Sequence, residues 1–142
     1  MSEQQKNWFS YPVKVHPHHT DCAGIVWHGA YINWMEEARI EYFQQRGLEY
    51  SDFVKIGYEL PVVDLALRYH KSMKMGMKAI VKTRVDRIAR VKIIWDYRIE
   101  SPEGQELYVS GTVTLVPVDR EKGRIARKFP PRLQLALKED LD

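Results

Sequence analysis

A chain of 142 residues, 44% hydrophobic and 29% charged, has the size and composition of one globular domain; it is too short for two and too apolar to be disordered. The single cysteine, Cys22, excludes an internal disulfide framework and points to a reducing, cytoplasmic setting. No apolar run approaches the roughly 18 residues of a membrane span, and residues 1–6 do not open a signal peptide.

Net charge is only +3, but it is unevenly placed. Residues 36–64 carry seven acidic and three basic side chains, whereas residues 68–98 carry ten basic and two acidic ones. Residues 120–132 add six more basic side chains against Glu121. Such a basic region is either a solvated strand face or the seat of an anionic partner.

In chain order, residues 11–16 alternate and predict a first strand, and residues 18–27 are irregular and read as a loop. Tyr31, Trp34, Met35, Ala38 and Tyr42 then follow the spacing of one helix face, predicting a long helix over residues 30–46 that stops at Gly47. A short helix over residues 50–56 follows, with Ser51 as a candidate N-cap. Beyond Glu59 the period becomes two. Val63, Leu65, Leu67 and Tyr69 form one strand face, Ala79, Val81, Thr83 and Val85 a second, Val91, Ile93, Trp95, Tyr97 and Ile99 a third, and Leu107, Val109, Val113 and Leu115 a fourth. Ser101-Pro102-Glu103-Gly104 is a turn, residues 120–123 are a loop, and Pro130-Pro131 opens a last helix carrying Leu133, Leu135, Leu137 and Leu141. A strand, a dominant helix and four long strands predict an α+β domain with a five-stranded antiparallel sheet around one helix. The open edges of that sheet favour pairing with a second copy.

Chemistry is expected where the irregular loop meets the long helix, because a helix N-terminus offers free N–H groups and the positive end of a dipole. Just upstream, Asp21 supplies a carboxylate that acts as base or nucleophile, or caps the loop as an ordinary turn residue. His16, His18, His19, Asp21 and Cys22 have the donor types of a zinc site. Pro17 interrupts their presentation and no second CxxC or HxxxH completes a set, so no metal is expected. Cys22 reads as a buried or inert thiol rather than a nucleophile, and His70 as structural. No RNP string and no glycine-rich phosphate loop occurs, so neither nucleic acid nor a Walker or Rossmann nucleotide site is expected.

The string Asp21-x-x-Gly24-Ile25-Val26-Trp27-His28-x-x-Tyr31, followed by Glu36-x-Ala38-Arg39, resembles the hallmark of hotdog-fold acyl-CoA thioesterases, in particular the 4-hydroxybenzoyl-CoA thioesterase and YbgC-like group. The resemblance implies a hotdog fold over the whole chain as a single domain, residues 1–142, and hydrolysis of acyl-CoA to free acid and CoA without a cofactor. It places the catalytic carboxylate at Asp21 and the oxyanion-binding N–H at His28. Gly24 then keeps the loop tight for substrate approach, and Tyr31 shapes the acyl pocket. Glu36 and Arg39 hold the helix and a dimer interface. CoA phosphates are expected at Arg87, Arg90 and Lys92, in the basic stretch beside a predicted hairpin. An acyl-carrier-protein thioester is a close substrate alternative, and a non-catalytic acyl-CoA-binding protein another reading. The expected assembly is a homodimer or homotetramer with each site at a subunit boundary.

Overall fold

The computed structural model describes residues 8–138. Five strands form one antiparallel sheet: β1 (Phe9–Lys14), β3 (Val62–Tyr69), β4 (Lys78–Ala89), β5 (Lys92–Glu100) and β6 (Leu107–Leu115). Their spatial order is β1-β4-β5-β6-β3, so β3 crosses over to the far edge. The long helix α1 (His28–Gln45) follows β1, and the short helix α2 (Tyr50–Ile56) follows α1. This is the α+β hotdog arrangement expected, an antiparallel five-stranded sheet with one dominant helix.

Local chemistry moves several boundaries. β1 lies two residues earlier than expected, because Phe9 through Lys14 pair with Thr83 through Lys78. Val15 still bonds outward, its N–H reaching the Met77 carbonyl at 2.8 Å. Helix α1 begins at His28, two residues before the expected start. The N-cap of α2 is Glu49, not Ser51: the Glu49 side chain accepts from the first turn, and Asp52 accepts the Glu49 N–H at 2.7 Å. Val91 belongs to a two-residue turn rather than to β5, and Arg90 beside it takes φ +59°. Three short strands, β2 (Tyr58–Glu59), β7 (Val118–Asp119) and β8 (Arg124–Ile125), form a second sheet that the sequence does not announce. Residues 120–123 are its turn, held by the Asp119 carboxylate accepting from Glu121 and Lys122. The last helix, α3 (Pro131–Ala136), buries Leu133 and Leu137 while Leu135 is exposed; Leu141 lies outside the described residues.

The core lies between α1 and the face of the sheet carrying Val81, Val85, Ile93, Trp95, Tyr97, Ile99, Val109, Val113 and Leu115. Trp95 meets Tyr42 and Phe43 edge-on at 4.8 and 5.6 Å, a geometry that aromatic quadrupoles favour. Arg39, on the same helix, turns inward. Its Nη1 donates to the Tyr97 hydroxyl at 3.0 Å, and that hydroxyl donates to the Met35 carbonyl at 3.1 Å. The arginine of the ExAR string thus ties helix to sheet within one chain. β3 departs from the rest of the sheet. Leu65 and Tyr69 face the helix side, opposite Val113 and Val109, yet both remain exposed. α1 lies chiefly over β1 and β4 and meets β3 at the strand's end, where Tyr31 packs on Tyr69.

Tyr97→Phe removes the acceptor of the buried Arg39 guanidinium with little change of shape. The expected cost is about 1–3 kcal/mol, read as a lower urea midpoint with an unchanged slope.

Candidate active site

The loop between β1 and α1 is a narrow hairpin. Pro17–His19 form one 3-10 turn, Thr20 bridges to Val26, and the Asp21 N–H bonds the Ile25 carbonyl at 2.8 Å. Asp21 holds the tip: one carboxylate oxygen, Oδ1, accepts the N–H groups of Ala23 at 2.8 Å and Ile25 at 3.1 Å. This is an Asx turn, in which a short carboxylate satisfies backbone donors two and four residues on. The second oxygen, Oδ2, has no partner among the described residues, and the side chain is exposed. Gly24 sits in the left-handed region at φ +76°. Nothing lies within 4 Å of where its Cβ would be, so conformation, not crowding, requires glycine there. Cys22 is exposed beside it rather than buried.

The loop delivers the chain into α1 at His28. Trp27, the N-cap residue, offers no side-chain cap, and the His28 N–H has no partner among the described residues. Beside it opens a cavity of about 420 Å³ lined by Val26, His28, Tyr31, Tyr69, His70, Lys71 and Ser72. Tyr31 and Tyr69 pack ring to ring at 5.6 Å on its wall. Burial pushes the Tyr31 hydroxyl up from its ordinary range, partly offset by a hydrogen bond from the Met73 backbone. His70 is fixed from behind, its Nε2 lying 2.8 Å from the Ser110 hydroxyl. Lys71 pairs with Glu106 at 2.9 Å. Tyr69, His70, Lys71 and Ser72 are functional candidates that sequence reasoning missed. They lie at and just beyond the end of β3, some forty residues from the motif, and only the fold brings them to His28.

The structure therefore gathers Asp21, Gly24, His28 and Tyr31 around the start of α1, although Asp21 does not itself line the cavity. It does not bring Arg87, Arg90 and Lys92 there. The Asp21 hairpin contacts the segment before β4, through the Ile25–Lys74 bridge, whereas those cations flank the other end of β4. Twelve residues of strand at about 3.3 Å each separate the two ends. Among the described residues, no three His, Cys, Asp or Glu side chains form a set that holds a metal ion. The His16 and His18 rings stack, and the His19 ring packs tilted against both, its centre 4.0 Å from that of His18.

Residues 15–137 match the thioesterase-like superfamily. The chain belongs to that family. It is 44% identical over 129 residues to the protein sll0410 of Synechocystis, covering 91% of this chain and 78% of that one. The acyl-CoA thioesterase YbgC of Haemophilus influenzae is 31% identical over 99 residues, covering 66% and 69%. The DHNA-CoA thioesterase of Staphylococcus aureus superposes with a TM-score of 0.84 at 29% identity, over 94% of this chain and 90% of that one. This chain is accordingly a thioester hydrolase of the hotdog fold, and no helix among its described residues is long and apolar enough to cross a membrane.

The histidine stack makes the loop sensitive to acid. His19 accepts the His16 N–H on Nδ1 at 2.9 Å and packs against Trp34. Burial, then the neighbouring His18 and His16, hold its imidazole below the ordinary range, and Glu37 opposes them only in part. The unfolded chain binds a proton near the usual value of about 6.5, while the folded chain resists it. Stability contributed here is therefore present above about pH 6.5 and lost as pH falls below it. Melting temperature measured from pH 7.5 to 5.5 should fall more steeply in the native protein than in His19→Asn, which retains an acceptor for His16.

Proposed function

We propose that the protein hydrolyses acyl-CoA thioesters, with Asp21 as the acting carboxylate and the His28 N–H as the oxyanion donor. The observation that carries this reading is the pairing of a half-used carboxylate with an unused helix N-terminus beside an aromatic cavity. Oδ1 is spent on the loop and fixes the orientation of the side chain, which leaves Oδ2 available for chemistry. The positive end of α1 stabilises the charge that develops on the thioester oxygen. Tyr31 bounds the acyl group, and Gly24 leaves the backbone at the loop tip open to substrate. In a nucleophilic route Oδ2 attacks the carbonyl carbon, the C–S bond breaks to release CoA thiolate, and water cleaves the resulting anhydride. In a general-base route Oδ2 takes a proton from water, which attacks directly. A reducing, cytoplasmic setting suits the exposed single thiol.

We infer, too, that the working unit is a homodimer, or a tetramer built from it, with β3 at the interface. β3 is an eight-residue edge strand with exposed Val62, Leu65 and Tyr69, and α1 exposes Ile32 and Ile40 as well. Long apolar edges of this kind are usually covered. Antiparallel pairing of two β3 strands would extend the sheet and turn the 87–92 hairpin of one copy toward the Asp21 end of the other. That assembly is the setting in which Arg87, Arg90 and Lys92 would serve a CoA.

Two outcomes check these readings. Asp21→Asn keeps an oxygen acceptor for the Asx turn and loses the charge. It should fold with nearly native stability, bind acyl-CoA, and show kcat lower by about 10²–10⁴-fold. Near-native turnover in folded Asp21→Asn would remove Asp21 from the mechanism, whereas Asp21→Ala should also lower the melting temperature. For the assembly, light scattering at micromolar concentration should show at least a dimer, reduced toward monomer by Leu65→Asp. A monodisperse, fully active 16.8 kDa species would exclude it.

A further inference from the structure

The seven residues around the cavity beside His28 differ in how firmly they are held. Val26 is buried in the core. Tyr31 is 3% exposed, and its hydroxyl accepts a hydrogen bond from the Met73 backbone. His70 is anchored on Ser110 and Lys71 on Glu106. His28 is built into the first turn of α1, and Ser72 is small. Tyr69 is the exception. It is 51% exposed, and its hydroxyl has no hydrogen-bond partner among the described residues. Its ring is held by packing on Tyr31, centre to centre at 5.6 Å.

The position of Tyr69 adds the second argument. It is the last residue of β3 and the one residue of that strand that lines the cavity, so along β3 the cavity stops at its ring. Alternation puts Leu65 on the same face of the strand, opposite the core residue Val113 as Tyr69 is opposite Val109. Leu65 is 39% exposed, and Val62 beyond it is exposed too. An apolar strip therefore runs from the Tyr69 ring away from the cavity, with Leu65 about 13 Å along it. Edge-to-edge pairing of two β3 strands would engage their backbones and leave this face as a floor between the two α1 helices.

We propose that Tyr69 is the specificity-determining residue of the acyl site: its ring closes the cavity toward Leu65, so that compact acyl groups fit and long linear ones do not. The assignment rests on the acyl-CoA reading and names the class of acyl group. Tyr31, locked from behind, is the fixed wall, and Tyr69 is the adjustable one. Removing the Tyr69 ring lengthens the cavity along β3 and leaves Asp21 and the His28 N–H in place. A linear chain then exchanges water for the apolar floor at Leu65. The ring carries the effect and the hydroxyl does not, because no described residue bonds the hydroxyl. A Tyr69 that served only to brace the end of β3 would affect every acyl group alike.

Butyryl-CoA and decanoyl-CoA are compared as substrates of the full chain, native and carrying Tyr69→Ala or Tyr69→Phe. The native protein should favour butyryl-CoA in kcat/KM. In Tyr69→Ala the ratio of kcat/KM for decanoyl-CoA over butyryl-CoA should rise about tenfold or more, the gain from burying about two further methylenes. Tyr69→Phe should keep the native ratio. Tyr69→Ala/Leu65→Ser should lose most of the gain, since the floor beyond the ring is then polar. Equal use of both substrates by the native protein would overturn the assignment. So would a Tyr69→Ala effect common to both, a Tyr69→Phe ratio like that of Tyr69→Ala, or a gain undiminished by Leu65→Ser. Calorimetric binding of S-butyl-CoA and S-decyl-CoA, thioethers that cannot be hydrolysed, reads the same ratio without turnover. Tyr69-dependent selection between the thioethers with neither thioester hydrolysed would keep the wall and remove the mechanism proposed for Asp21. Asp21-dependent hydrolysis with no such selection would do the reverse.

Discussion

One helix must cover five strands, and it cannot. An α-helix with its side chains is about 10–12 Å across, whereas five strands at about 4.8 Å spacing span roughly 19 Å. The packing settles this by placing α1 chiefly over β1 and β4, with Tyr42 and Phe43 reaching Trp95 on β5. The candidate site lies at the uncovered remainder. β3 keeps its apolar side chains in the open, the start of α1 overhangs the end of the sheet, and a cavity forms between that overhang and the residues after β3. Arg39 reinforces the choice by reaching from α1 to Tyr97 on β5, the middle strand.

The Asp21 loop shows why a residue need not be either structural or chemical. A carboxylate has two oxygens, and this loop needs one. The two N–H bonds to Oδ1 restrict side-chain rotation, so in the proposed mechanism the entropic cost of aligning Oδ2 would be met during folding and not during reaction. Gly24 closes the same turn with a backbone angle that other residues adopt only at a cost. The cap reading and the catalytic reading, alternatives when the sequence is considered alone, are compatible in the geometry.

Legibility in the sequence tracks how many residues carry a signal. α1 was plain because Tyr31, Trp34, Met35, Ala38 and Tyr42 all recur on one face and all are buried. Its first turn was not, since His28 and Gly29 add nothing to that stripe. The strands were legible from alternation, but alternation names a face without naming what covers it. Leu65 and Tyr69 point to the helix side as read and still stay exposed, although Tyr69 touches Tyr31 of α1. The minor sheet has two residues per strand, too few for any period. Glu49 was overlooked as a cap because the sign of it is reciprocal, Glu49 with Asp52, and Ser51 offered a better residue type in the wrong place. At the site, Asp21, Gly24, His28 and Tyr31 were legible as one contiguous motif. Tyr69 and His70 became neighbours of His28 only through the crossover that carries β3 to the sheet edge.

The basic stretch shows how strand register turns composition into chemistry. Ten basic residues between positions 68 and 98 could have scattered over both faces and the turns. The registers instead align Arg68, Arg98 and Lys82 in one row, with like charges on directly opposed strands, an arrangement that is destabilising unless compensated. Glu100 supplies the compensation. Burial pulls its carboxyl upward, and hydrogen bonds from Lys82 and Arg98 more than reverse this, holding it below the ordinary carboxylate range. It stays ionised where an isolated buried acid would tend to protonate. Arg68 has no such acid among the described residues. Arg68 is exposed, so water can serve its guanidinium where no carboxylate does. The register therefore turns an uneven charge distribution into one compensated pair of strands, β4 and β5, and one solvated cation on the edge strand.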